Sequence, residues 1–157
     1  GALNAIAGGW GIGLISELRT GAPYGVLENT NRFNTFAHGQ RPNLLGQPER
    51  LSNWRDNVKG NTYFDTGLFE APGAGIIGTS PRNICCGPGL FSFDLSTHKK
   101  FALRESLNLE LRADFFNLLN RPNFGLPERR RGRADFGTIR GVRGDARTIQ
   151  LGLRLEF

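Results

Sequence analysis

The sequence predicts an all-β fold: about four antiparallel strands at the C-terminal end of a large transmembrane β-barrel, joined by long extracellular loops. Three observations carry this prediction. The last eleven residues, Arg147 to Phe157, alternate without a break. Ile149, Leu151, Leu153, Leu155 and Phe157 fall on one side of an extended strand, and Thr148, Gln150, Gly152, Arg154 and Glu156 on the other. Successive strand side chains point to opposite faces, so one face is wholly apolar and the other polar, as lipid outside and water or a plug inside require. Second, from about Glu28 to Gly89 the chain loses periodicity. A loop of that length is foreign to a compact soluble domain and ordinary on the outer side of a large barrel. Third, no stretch reaches the roughly 18 apolar residues of a membrane helix, while 22 Gly punctuate the chain and favour β structure with loops.

The first strand is predicted from about Gly9 to Thr20. Trp10, Ile12, Leu14 and Leu18 share a face that Ser16 interrupts, and glycines fill much of the other. Gly21-Ala22-Pro23 ends or bends it. The long loop covers 28–89, with a short helical turn expected near Asp65 to Glu70. The second strand is predicted over 90–103. Phe91, Phe93, Leu95, Phe101 and Leu103 mark its apolar face, interrupted by Thr97 and Lys99. The third, over 107–116, sets Leu107, Leu109, Leu111, Ala113 and Phe115 against Asn108, Glu110, Arg112 and Asp114. A second long loop covers 117–146, and the fourth strand 147–157. Aromatics near strand ends (Trp10, Tyr24, Phe101, Phe115, Phe116, Phe157) suit interfacial girdles, or else ordinary core positions.

Parity constrains the short turn. Directly paired residues point to the same face, and the apolar faces of strands two and three both fall on odd numbers. Paired numbers therefore sum to an even value, which excludes a two-residue loop unless a bulge intervenes. Leu103 opposite Leu107 leaves Arg104-Glu105-Ser106 as the loop and sets Lys100 opposite Glu110, a favourable cross-strand charge pair. Connections that run very long, very short, long place the short turn at the periplasm and carry the final strand inward.

The chain lacks Met and begins Gly-Ala-Leu-Asn. It shows no signal-peptide pattern, and we expect it to be a segment of a longer protein. Net charge is +6, and from Arg121 to Arg147 eight arginines stand against three acids. Within that segment, Arg129, Arg130, Arg131 and Arg133 form a basic run. A solvated loop is its simplest reading. On the outer face it is also a candidate contact for lipopolysaccharide phosphates or an anionic ligand. Cys85 and Cys86 are adjacent, which leaves open a vicinal disulfide, bonds to cysteines elsewhere, or two thiols.

Catalytic and metal chemistry find little support in the sequence, and neither enzyme activity nor a cofactor is expected. His38 and His98 stand apart from each other and from the cysteines. Asp94, Glu110, Asp114 and Glu156 interleave with Arg112, Arg154 and Lys100, a pattern of interior salt-bridge ladders. No nucleophile elbow or phosphate loop occurs.

R-P-N-L-L-G (Arg41 to Gly46), G-P-G-L-F-S-F-D-L-S-T-H-K-K-F (Gly87 to Phe101), L-R-A-D-F-F-N-L-L-N-R-P-N-F-G (Leu111 to Gly125) and the closing I-Q-L-G-L-R-L-E-F resemble, in this order, the C-terminal end of TonB-dependent outer-membrane receptors. The nearest resemblance is to the Oar-like group that carries an N-terminal carboxypeptidase-regulatory-like domain. The resemblance implies a bacterial outer-membrane barrel of about 22 strands, a plug, uptake of a ligand and energy from the TonB complex through the N-terminal part. It implies that Phe157, supported by Leu155, Leu153, Gly152 and Leu151, marks the barrel for the assembly machinery. Outer-membrane lipid and lipopolysaccharide are the implied surroundings. Four strands cannot close a barrel, so about eighteen more are expected, or a trimer supplying four per chain. Two rivals remain at this point: a soluble extracellular β-sandwich binding module, and a nucleic-acid binder built on the basic loop, which is not favoured.

Overall fold

The computed structural model describes residues 7–31, 39–56 and 61–157. Four long strands form one antiparallel sheet: β1 (Trp10–Arg19), β2 (Leu90–Arg104), β3 (Leu107–Phe116) and β4 (Thr148–Glu156). Spatial order follows chain order, the meander of an up-and-down barrel. Each strand lies where the sequence alternates.

The register follows parity with one exception. Lys100 stands opposite Glu110, as the sequence predicts, with Nζ 3.3 Å from Oε2. The turn is tighter than predicted. Arg104, not Leu103, pairs with Leu107, and the ladder shifts between Ala102 and Arg104. Leu103 is thus the extra residue of a β-bulge. One inserted residue reverses the parity, which lets the two-residue turn Glu105-Ser106 close the hairpin.

The chain divides into two compact units: residues 1–19, 90–123 and 143–157, which hold the sheet, and residues 20–89 with 124–142. The second unit comes from segments that the sequence presents as aperiodic loop. Two-residue ladders join Pro23–Tyr24 to Cys85–Cys86, Asn43–Leu44 to Phe69–Glu70, and Leu27–Glu28 to Arg130–Arg131. The expected helical turn is a 3-10 turn at Thr66–Leu68. The Asp65 carboxylate accepts from the Gly67 N–H at 2.9 Å, which caps one of its free amide donors. Tyr24, Val26, Tyr63, Phe64 and Phe69 form the core of this unit, and Phe136 and Ile139 pack against it. The Phe64 ring lies 5.5 Å from those of Phe69 and Phe136, both edge-on. Tyr24 therefore does not join an interfacial girdle: its ring is buried 5.9 Å from Phe64. A close approach fixes Gly21. The Gly87 N–H donates to the Ala22 carbonyl at 2.9 Å, and a Cβ on Gly21 would overlap the Gly87 carbonyl oxygen.

Candidate functional site

The sheet has two chemically distinct faces, and its register stacks them into rows. On the apolar face Ile12, Thr97, Ala113 and Leu151 form one row, and Leu14, Leu95, Phe115 and Ile149 the next. Leu151 is 80% exposed and Leu153 71%. Among the described residues, the buried hydrophobic side chains all belong to the second unit and none to the sheet. A soluble sandwich would bury this face under a second layer.

A third row on the same face runs Trp10, Lys99, Leu111, Leu153. Lys99 interrupts the apolar pattern in sequence, yet the residue is only 6% exposed. Its ammonium lies 4.8 Å from the Trp10 ring centre and 5.0 Å from that of Phe101. Two ring faces thus compensate a charge on an otherwise apolar surface.

The opposite face carries charge in register. Glu110 stands between Lys100 and Arg154, an acid flanked by two bases. Asp114 accepts from the Ser96 hydroxyl at 2.6 Å and from Arg112 Nε at 2.8 Å. Arg154 pairs with Glu156 at 3.2 Å. The four carboxylates that could pass for catalytic pairs are thus each held by a donor. Asp94, the fourth, accepts the Asn117 N–H at 2.8 Å. His98 lies over Gly11, where a Cβ would strike its ring. His38 lies outside the described residues.

Three asparagines tie the end of the sheet to the loop that follows β3. Asn117 and Asn120 have φ of 50° and 48°, the left-handed region that asparagine tolerates better than most residues. Asn117 Oδ1 accepts from the Arg121 N–H at 3.0 Å, and its amide donates to the carbonyl of Asp145 at 3.1 Å. Asn120 Oδ1 accepts from the Arg147 N–H at 3.1 Å. Asn123 reaches back to the main chain of Phe91. The N-L-L-N-R-P-N stretch bears this role on its face as an Asn-rich, Pro-punctuated turn, although sequence reasoning singled out none of its asparagines.

The basic run divides. Arg129 and Arg130 are exposed. Arg131 turns inward: Nε donates to the Phe69 carbonyl at 2.8 Å and Nη1 to buried Glu28 at 3.4 Å. Arg133 pairs with Glu128 at 3.3 Å and Asp135 at 3.2 Å, and Arg140 with Asp135 at 3.2 Å. Burial pushes the Asp135 carboxyl up. The Arg133 hydrogen bond, a main-chain hydrogen bond and the charges of Arg140 and Arg133 outweigh it and hold the group below the ordinary carboxylate range.

Of the C-terminal residues, Leu151, Leu153 and Leu155 lie on the apolar face, Gly152 opposite Arg112 on the polar one, and Phe157 is 98% exposed. Among the described residues β4 pairs only with β3, which leaves its outer edge open for the next strand of a closed sheet.

Comparison with known families gives a match over nearly the whole chain. The family described as an outer membrane beta barrel domain matches residues 1–150. A search of curated proteins and a search of solved structures each find no match. The family match overturns the soluble sandwich, in agreement with the uncovered apolar face. Nearly the whole length is matched, and the sheet has the order, alternation and open edges of a barrel segment: the chain belongs to the outer membrane beta barrel domain family and resides in the bacterial outer membrane.

Proposed function

We propose that the chain forms the C-terminal strands of a TonB-dependent receptor of the Oar-like group, which takes up a ligand across the outer membrane without acting on it as an enzyme. The supporting observation is the second unit. Loops that pack around their own aromatic core are suited to present a fixed surface to a ligand, which a barrel serving only as an anchor does not need. The four quoted motifs, in their order, support the same reading. The charged rows on the polar face suit a lumen that seats a plug. In this reading outer-membrane lipid covers the apolar face, and Arg129 and Arg130 are free to contact lipopolysaccharide or an anionic ligand while Arg131 and Arg133 shape the loop. The barrel-assembly machinery reads Phe157 with Leu155, Leu153, Gly152 and Leu151. The TonB complex engages the N-terminal part of the protein.

The test uses the full-length protein in detergent and the purified periplasmic domain of TonB. Saturable binding between them is expected. Its absence, with and without outer-membrane extract as a ligand source, would refute energised uptake while leaving the barrel assignment intact.

A further inference from the structure

The second unit contains a cavity of about 410 Å³ lined by Arg41, Arg82 and Asn83 together with Arg129 of the basic run. These arginines come from three segments far apart in sequence. Main-chain contacts bring them to the strip 23–28. The Leu27 N–H donates to the Arg129 carbonyl at 2.9 Å. The Glu28 N–H donates to the carbonyl of Gln40, the neighbour of Arg41, at 2.6 Å. The Ile84 N–H donates to the Tyr24 carbonyl at 2.9 Å, and Gly25 lies so close to the Arg82 carbonyl that a Cβ there would overlap it. Backbone, not surface chance, thus sets the three residues around one space.

The charge in that space is uncompensated. Among the described residues no carboxylate lines the cavity and none of the three arginines makes an ion pair. Elsewhere among the unit's described residues Arg131, Arg133 and Arg140 form ion pairs with acids, while the exposed Arg50, Arg55 and Arg130 do not. Three arginines around one space with no acid among them make a positive environment, which an anion relieves. Each offers a planar fork of paired N–H donors. One carboxylate presents two oxygens and cannot serve three forks, whereas a phosphate group presents at least three. The volume falls in the range of small-molecule sites, roughly 300–1,000 Å³, so there is room for more than one phosphate.

We propose that the cavity bounded by Arg41, Arg82 and Arg129 binds a phosphate-bearing anion, either a soluble phosphorylated compound or the phosphorylated headgroup of a surface lipid. The site is a property of the second unit and does not rest on TonB-driven uptake.

The test is calorimetric titration of the full-length protein in detergent with sodium pyrophosphate at low salt, with citrate as the polycarboxylate comparator. Vesicles containing phosphorylated lipid A, against vesicles containing its dephosphorylated form, make the second arm. Arg82 and Arg129 are exposed, so an R82Q/R129Q variant is expected to fold, and heat-dependent gel mobility checks this; R82Q alone is the fallback. The variant should weaken the bound probe by at least about ten-fold, and R82K/R129K by less, because lysine keeps the charge without the fork. Pyrophosphate binding in the absence of lipid assigns a soluble ligand. Binding confined to phosphorylated vesicles assigns a lipid headgroup. Citrate binding as tightly as pyrophosphate, no binding in either arm, or binding unchanged in the variants overturns the proposal.

Discussion

The side-chain amide of Asn123 satisfies both main-chain groups of Phe91. Its Oδ1 accepts the Phe91 N–H at 2.9 Å and its Nδ2 donates to the Phe91 carbonyl at 3.0 Å. This is the pair of bonds that a neighbouring strand would make. β3 ends at Phe116, and its pairing with β2 stops at Leu95. Past that point Leu118 still donates to the Phe93 carbonyl, and Asn123 takes the next pair of groups. A side chain therefore continues the ladder after the strand has turned away.

Asn123→Ala should leave both Phe91 groups without protein partners, at a cost of about 1–3 kcal/mol for buried polar groups left unpaired. Asn123→Asp keeps the acceptor, loses the donor and should cost less. Amide exchange at Phe91 in the folded full-length protein reads the effect directly. Faster exchange in the Ala variant than in the Asp variant is expected, and equal protection in both would show that water replaces the amide.

The Lys100–Glu110–Arg154 row supplies a second prediction. One carboxylate faces two cations across adjacent strand pairs. Glu110→Lys would set three cations in a line, and each like-charge pair costs about as much as a favourable pair contributes, roughly 0.2–1 kcal/mol. The charge swap K100E/E110K restores the Lys100 pair but leaves a lysine beside Arg154. Rescue in urea unfolding should thus be partial. Full rescue would show that Arg154 does not feel position 110.

The strands were legible because lipid on one side and polar groups on the other impose a period of two, and that period appears in the order of residues from Leu107 to Phe116. The Lys100–Glu110 register followed from parity together with a short loop, although the turn itself closes one residue tighter than the Leu103–Leu107 pairing expected. The bulge at Leu103 was not legible: it lies one residue from the strand end, so the shifted alternation has only Arg104 to show it, and Ala102-Leu103-Arg104 carries no Gly or Pro to mark it. The second unit was opaque for a different reason. Tyr24, Phe64 and Phe136 meet through tertiary contact at spacings that belong to no regular element. The run Arg129 to Arg133 was visible as a run, but its division was not. Whether Arg131 meets Glu28, or Arg129 lines the same cavity as Arg82, depends on which segments the aromatic core draws together.

Acid should loosen the second unit. Asp135 titrates below its ordinary value in the folded protein and near about 3.9 when unfolded. A group depressed in this way adds stability that is fully present above the unfolded value and is lost as pH falls through the folded one. The loss should begin near pH 4 and be complete below the folded value. Trp54, packed 5.0 Å from Tyr63 and 4.9 Å from Phe124, reports on this unit in a Trp10→Phe background. Asp135→Asn should abolish the acid step in its emission. A step that survives the substitution would assign it to another carboxylate.

Neighbouring residues on β4 offer the sharpest test of which face meets lipid. Leu151 and Gln150 are adjacent in sequence and lie on opposite faces near the middle of the strand, opposite Ala113 and Asp114. An arginine at the centre of the lipid face of a barrel strand costs about 2–4 kcal/mol. On the polar face, beside the Asp114 carboxylate, the same side chain has water and an acid within reach and should cost no more than about 0.5 kcal/mol. Leu151→Arg and Gln150→Arg, compared by urea unfolding of the full-length protein in phospholipid vesicles, should therefore differ by about 2–4 kcal/mol. In detergent micelles, whose thinner apolar belt deforms around a charge, the difference should shrink. Equal costs in vesicles would mean that neither face lies against acyl chains, and the inward and outward assignment of every strand in the sheet would have to be withdrawn with it, because the register couples them all.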